Sequence, residues 1–254
     1  MKDLIVFSVG DNRYALDIEN IQRIIQMLEI SEIPNAHNLI DGMMSYEGKV
    51  IKVINFRKLI GLLTYDEELV QFFYKLKKSH QVWIDALESS IKNASTFTKQ
   101  LDPNKCELGI WLNSFNSYDD KDVEKIFKHL YENHKKLHLV GANILKILKE
   151  DKDKAIEEFN KNIYDIFTKT IDDIDSFISK ADKVTNSLQK LIIYENNDKV
   201  FAVKVDKIED IAHIEDGDIM SNEDDSNNIF LELLGVLELD DMLINIIKTI
   251  KIPS

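Results

Sequence analysis

The chain has 254 residues, with 45 acidic against 32 basic side chains and a formal net charge of −13. That balance disfavours nucleic acid and anionic membrane surfaces, both of which attract Lys/Arg clusters, and no apolar run approaches the roughly 20 residues of a membrane span. A single cysteine cannot form an internal disulfide, which fits a reducing, cytoplasmic setting.

Residues 4–63 read as β-rich. Leu4 runs directly into a strand pattern, Leu4-Ile5-Val6-Phe7-Ser8-Val9-Gly10, so no signal peptide is expected. Asp11-Asn12 makes a turn, and Arg13-Tyr14-Ala15-Leu16-Asp17-Ile18 returns. Residues 19–27, with Ile21, Ile24 and Ile25 at helical spacing, suit a short helix. Pro34-Asn35 marks a loop. Two alternating runs, Ile40 to Tyr46 and Val50 to Phe56, then flank Glu47-Gly48-Lys49 as a hairpin.

Near Tyr65 the hydrophobic period changes from 2 to 3.6. Leu69, Phe73, Leu76, His80, Trp83, Leu87 and Ile91 fall on one helical face. A second helical stretch is expected after Asp102-Pro103, where Asp can cap and Pro suits the first turn. Val123, Phe127, Leu130, His134, His138, Gly141, Leu145 and Leu148 outline a third helix. Ile156, Phe159, Ile163, Phe167, Ile171, Ile174, Phe177 and Ile178 outline a fourth. Four amphipathic helices with short connections favour an antiparallel bundle. The β pattern resumes near Leu188, with hairpins at Asn196-Asn197-Asp198 and Asp240-Asp241 and an acidic loop from Glu215 to Asp225. The expected organisation is therefore α+β, with residues 65–187 a helical bundle inserted between β-rich segments 1–64 and 188–254. Such an insertion is tolerated because the ends of an even-helix antiparallel bundle lie close together.

Three histidines replace apolar residues on these helical stripes. His134 and His138 are four apart, so both imidazoles stack on one face and can reach one point. His80 occupies the stripe of the first helix. Cys106, the only thiol, falls early in the second helical stretch, where a helix N-terminus favours the thiolate. Three imidazoles and one thiolate are a closed tetrahedral zinc set, and no carboxylate stands on the stripes to favour a harder ion or a di-iron centre. Zn2+ is the expected metal, held by His80, Cys106, His134 and His138. With four protein ligands the shell has no place for a catalytic water, and no general base stands nearby, so no enzymatic activity is expected. His129 lies on the polar face of its helix and should be a solvated bystander. His37 and His213 read as spectators.

The segments His80-Gln81-Val82-Trp83, Cys106-Glu107-Leu108-Gly109-Ile110-Trp111 and His134-Lys135-Lys136-Leu137-His138 resemble the chemoreceptor zinc-binding (CZB) family, in which the corresponding His, Cys and His pair hold one zinc in a four-helix bundle. The β segments resemble the CheW-like family of adaptors that link chemoreceptors to the CheA histidine kinase. The residues that carry this are Phe7-Ser8-Val9-Gly10, Tyr14-Ala15-Leu16-Asp17-Ile18, Ile33-Pro34-Asn35-Ala36, Ile40-Asp41-Gly42 and the run from Val50 to Gly61, with Leu234-Gly235-Val236 in a looser tail match. The resemblance implies two SH3-like β-barrels, with the insert near the handover from the first barrel to the second. It also implies a cytoplasmic signalling adaptor at chemoreceptor arrays, with CheA-type kinase and chemoreceptors as partners. A zinc–cysteine sensor for oxidant or zinc is the implied input; a constitutive scaffold with a purely structural zinc is the alternative. Exposed apolar faces of the bundle helices would also serve a homodimer. Three positions depart from the CheW pattern: Glu47-Gly48 replaces the usual Arg-Gly, Lys52 the usual Pro and Asn55 the usual Asp, each altering a docking surface.

Overall fold

The computed structural model describes residues 2–115, 120–220 and 228–253. These divide into two compact units, Met1–Tyr65 with Thr185–Ser254, and Asp66–Val184.

The first unit holds β1 (Lys2–Val9), β2 (Asn12–Asp17), β3 (Ile21–Gln26), β4 (Ile40–Tyr46), β5 (Lys49–Asn55) and the single-turn α1 (Phe56–Leu59) from the early part of the chain. From the late part come β6 (Lys190–Asn196), β7 (Lys199–Val205), β8 (Lys207–Ile214), β9 (Leu231–Leu239) and β10 (Met242–Ile250). Hairpins close where short polar residues accept positive φ: Asn197 and Asp198 join β6 to β7, and Asp240 and Asp241 join β9 to β10.

The strands form two five-stranded sheets, ordered β8-β1-β2-β10-β9 and β3-β6-β7-β5-β4. Early and late segments therefore do not make one sheet each. A parallel pairing of β2 with β10 (Ala15 opposite Ile246) and one of β5 with β7 (Ile54 opposite Val203) stitch early and late strands into the same sheets. The expected closed barrels are corrected as well. Among the described residues, the outer strands of each sheet are not hydrogen-bonded to one another, and the bridges outside the strands are single ones, Ser31 with Met43 and Met220 with Val236.

Both faces of each sheet are buried. Phe7, Val9, Tyr14 and Leu16 of one sheet meet Ile54, Ile192, Tyr194, Phe201 and Val203 of the other in a shared core. Leu4, Val6, Ala15, Ile244 and Ile246 pack on the far side of the first sheet, and Met44, Ile51, Val53, Leu191, Ile193 and Ala202 do so in the second. This two-sided burial explains why β1 and β6 read as nearly continuous apolar runs instead of alternating ones.

Two sequence expectations in this unit change. Residues 19–27 are not a helix: a 3-10 turn at Ile18–Asn20 leads into β3, which pairs with β6 (Ile24 opposite Ile192). The isoleucine spacing suits either state, and a partner strand far along the chain decides it. β8, with its mostly exposed Lys-Ile-Glu-Asp sequence, carries too few buried positions to announce itself, and pairs with β1 as an edge strand. Of the acidic loop, Asp216–Asp218 form a 3-10 turn and residues 221–227 lie outside the described residues.

Among the described residues, the second unit is built on three long helices, α2 (Tyr65–Asn93), α4 (Lys121–Ile147) and α5 (Lys152–Ile178), with the short α3 (Glu107–Ser114) and the first turn of α6 (Ala181–Leu188), whose end belongs to the first unit. Asp120 and Asp151 cap α4 and α5 by accepting backbone N–H groups in their first turns. Trp83, Leu87 and Ile91 of α2, Leu137 and Ile144 of α4, and Phe159, Ile163 and Ile166 of α5 share one core. The fold is thus mixed α+β, with the helices in the middle of the chain.

Candidate metal centre

His80 is buried on α2, and His134 and His138 are buried on α4. Cys106 is not inside a helix as expected. It is the N-cap of α3, half-buried, with extended backbone, and its Sγ accepts the Gly109 N–H at 3.3 Å. Asp102 instead closes the preceding turn, accepting the Asn104 N–H at 2.9 Å. The structure brings all four side chains together: one nitrogen from each imidazole and the Cys106 sulfur lie within 4.8 Å of one another.

The orientation of the rings is set by backbone carbonyls. His80 Nδ1 donates to Leu76 O at 2.8 Å, and His138 Nδ1 donates to Leu101 O at 3.2 Å. A carbonyl only accepts, so Nδ1 carries the proton in both rings and each Nε2 presents a lone pair. Those two Nε2 atoms are buried and have no hydrogen-bond partner. His134 Nε2 sits 3.1 Å from Cys106 Sγ. Two buried lone pairs without donors are costly unless something electrophilic completes them. Outer-shell bonds from Nδ1 to carbonyls are also how ligating histidines are held toward metals. The donor set, three imidazole nitrogens and one sulfur, fits zinc.

Electrostatics agree with neutral imidazoles. Burial, then the neighbouring His138 and His80, push His134 down to about 2. Burial and His80 push His138 down to about 4, against the opposing Leu101 carbonyl. Burial lowers His80, with its Leu76 bond pulling the other way. Burial pushes the Cys106 thiol up, outweighing the N–H groups of Gly109 and Leu108. The α3 N-terminus therefore does not by itself make the thiolate that the sequence suggests; a cation at the site would.

Two glycines let the site close. A Cβ on Gly109 would fall 1.6 Å from Pro103 O, so the backbone that leads into Cys106 crosses where only glycine leaves room. A Cβ on Gly141 would fall 2.3 Å from the rim of Trp83. Sequence reasoning counted Gly141 as part of a stripe and missed its packing role; the signal available was a lone glycine inside a helical pattern. A cleft of about 410 Å3 opens beside the site, lined by His80, Cys106 and His138 together with Lys75, Lys78 and Lys99. Cys106 lines this cleft, whose mouth also carries Glu107, paired with Lys75.

The other histidines stand apart. His129 is exposed. His37 Nδ1 accepts the Leu39 N–H at 3.3 Å, and its ring lies 5.1 Å from Phe230. His213 is less of a spectator than expected: its Nδ1 lies 2.7 Å from Asp3 Oδ1 on the neighbouring strand.

These features define a two-sheet protein that carries a metal-type donor cluster in its helical segment. Residues 3–82 match the family model of the CheW-like domain, and residues 80–145 match that of the chemoreceptor zinc-binding domain. The two matches overlap at residues 80–82, inside α2, at His80. Chemotaxis protein CheW of Thermotoga maritima is 26% identical over 66 residues, covering 26% of this chain and 43% of that protein. Chemotaxis protein CheW of Helicobacter pylori is 26% identical over 93 residues, covering 35% of this chain and 56% of that protein. The chain thus spans about half the length of these curated relatives. The crystal structure of a scaffolding protein CheW from Thermoanaerobacter tengcongensis superposes with a TM-score of 0.46 at 14% identity, covering 97% of this chain and 84% of that one.

The three departures from the CheW pattern have local roles. Glu47 lies in the β4–β5 turn with φ of 48° and pairs with Arg23 at 3.5 Å. Lys52 Nζ donates to Pro253 O at 3.2 Å. Asn55 caps α1 by accepting the Arg57 and Lys58 N–H groups, while its Nδ2 donates to Asp41 at 2.9 Å. Among the described residues, no helix is long and apolar enough to cross a membrane.

Proposed function

We propose that the protein is a non-enzymatic, cytoplasmic chemotaxis adaptor that couples chemoreceptors to a CheA-type histidine kinase, with a zinc–cysteine sensor in an inserted antiparallel four-helix bundle. The sheets, which we take as SH3-like halves of the CheW type, supply docking surfaces through exposed edges and apolar side chains such as Val50 and Leu243. His80, Cys106, His134 and His138 hold one zinc ion. The observation that carries the reading is the pair of buried Nε2 atoms of His80 and His138 without a hydrogen-bond partner, in a group of four side chains whose ligand atoms lie within 4.8 Å of one another.

Held by His80 of α2, His134 and His138 of α4 and Cys106 at the α3 cap, a zinc ion would cross-link these elements, a contribution that in small zinc folds is of order 10 kcal/mol. The cleft admits a hydroperoxide-class oxidant to Cys106. The thiolate sulfur attacks one peroxide oxygen, the O–O bond breaks, the alkoxide or hydroxide leaves and takes a proton, and Cys106 becomes a sulfenic acid. A sulfenic acid is a poor zinc ligand, so the centre loosens. The burial that raises the Cys106 thiol favours the second reading, a constitutive scaffold with structural zinc.

The test is metal content of the purified protein beside His134→Ala, followed by pull-down of a CheA-type kinase with zinc-loaded, chelated and peroxide-treated protein. One zinc per chain that is lost in His134→Ala, with kinase capture changing on chelation or peroxide, supports the sensor. Unchanged capture supports the scaffold. A protein without metal refutes both.

A further inference from the structure

We propose that Trp83 is the positioning residue that holds the Cys106 arm against the three imidazoles. The inference rests on the reading that these four side chains bind one metal ion.

His80, His134 and His138 ride on long helices whose backbone bonds fix them. Cys106 alone comes from the non-helical segment between α2 and α3. That segment is caught at two adjacent carbonyls. Trp83 Nε1 on α2 donates to Gln100 O at 2.8 Å, and His138 Nδ1 on α4 donates to Leu101 O at 3.2 Å. The Trp83 ring also packs edge-on against Phe97 of the same segment, with centroids 5.4 Å apart, and lies 5.0 Å from the His138 ring. One side chain therefore touches both ends of the arrangement: the arm that brings the sulfur and a ring that brings a nitrogen. Gly141 on α4 makes this fit possible, because any Cβ there would strike the Trp83 ring.

A buried indole N–H needs an acceptor, and what matters here is which acceptor it takes. Trp83 uses its N–H on the chain that leads to Cys106, and the neighbouring carbonyl fixes the His138 tautomer. Losing the Trp83 bond frees Gln100, strains the adjacent Leu101–His138 bond and lets Cys106 draw back from the metal.

The experiment uses the whole chain loaded with Co2+. A cobalt–thiolate bond gives a near-ultraviolet charge-transfer band, and tetrahedral cobalt gives visible d–d bands. The wild type shows both; a wild type without the thiolate band refutes the metal reading itself. Trp83→Phe, which keeps a six-membered aromatic ring but removes the N–H donor with the rest of the indole, retains its helical circular dichroism, loses most of the thiolate band and binds cobalt about 10–100-fold more weakly. Gly141→Ala, which displaces the ring, shows the same loss. A folded Trp83→Phe with wild-type band and affinity overturns the proposal. A measurement on the unaltered site stands beside these: in zinc-loaded protein the Trp83 indole N–H, assigned against Trp111→Phe, is protected from hydrogen exchange. An indole proton that exchanges as fast as free tryptophan also overturns the proposal.

Discussion

Arg57 and Asp206 form a buried ion pair in the sheet unit, with Arg57 Nη2 2.7 Å and Nε 2.8 Å from the carboxylate oxygens. The same carboxylate accepts the Gly10 N–H at 2.8 Å and the Gln189 Nε2–H at 3.2 Å. Arg57 Nη1 donates to Leu63 O at 3.3 Å, and its guanidinium lies 4.5 Å over the Tyr65 ring. Leu63 and Tyr65 belong to the stretch entering the helical insert, and Gln189 to the stretch leaving it. A single charge pair thus ties down both ends of the interruption. Arg57→Met leaves Asp206 without its cation, and a broken buried pair costs about 3–5 kcal/mol. Urea titration of wild type and variant, with equal slopes, checks the loss.

Gly109→Ala is a second prediction with an inverted sign. In an ordinary helix interior alanine is better than glycine by about 1 kcal/mol. Here the new Cβ meets Pro103 O, and the N–H that reaches Cys106 Sγ must move. The variant is less stable than wild type by thermal melting and binds zinc more weakly in competition with a chelator.

The buried histidines set the acid response of the metal-free protein. Their folded pKa values are depressed, to about 4 for His138 and about 2 for His134, with His80 also lowered. The unfolded chain takes up protons near the ordinary histidine value of about 6.5 while the folded chain does not. Stability is therefore full above that value and falls as pH drops toward 4, by up to roughly 1.4 kcal/mol per pH unit for each histidine. Denaturant midpoints between pH 7.5 and 4.5 measure the slope. His80→Phe, which removes one proton acceptor, flattens it.

Asn55→Ala removes the α1 cap and the bond to Asp41, costing about 1–2 kcal/mol. Asn55→Asp keeps the cap but replaces the donor to Asp41 with a second carboxylate oxygen facing it at the 2.9 Å contact, a repulsion that Lys58 and Lys204, 2.7 and 3.3 Å from Asp41, offset in part. Chemical denaturation should find Asn55→Asp more stable than Asn55→Ala by the cap energy less the cost of the facing carboxylates.

The long helices and the donor cluster were legible because their signals are local. Stripe spacing puts His80, His134 and His138 on buried faces, and the structure places them there. Cys106 was legible as a residue but not as a cap, because its placement depends on a turn built by Pro103 and Gly109. The sheets were legible strand by strand and illegible as a whole. Nothing in Ile21–Gln26 announces β6 as its partner, and nothing in Asn12–Asp17 announces β10. Pairing across the insert depends on the entire chain, and the barrel expectation failed at that level. Trp83 was read as a stripe residue; its donor role depends on where the carbonyl of Gln100 comes to rest.

The interleaving of early and late strands also sets an order of assembly during synthesis. When Asn55 leaves the ribosome, β2 and β5 have finished their own hairpins, yet each still shows a bare backbone edge whose partner, β10 or β7, is untranslated. Residues 66–184 emerge and can fold on local contacts first, while those edges wait. The nascent amino-terminal quarter is therefore the stretch most exposed to wrong partners, and the helical insert governs how long that exposure lasts.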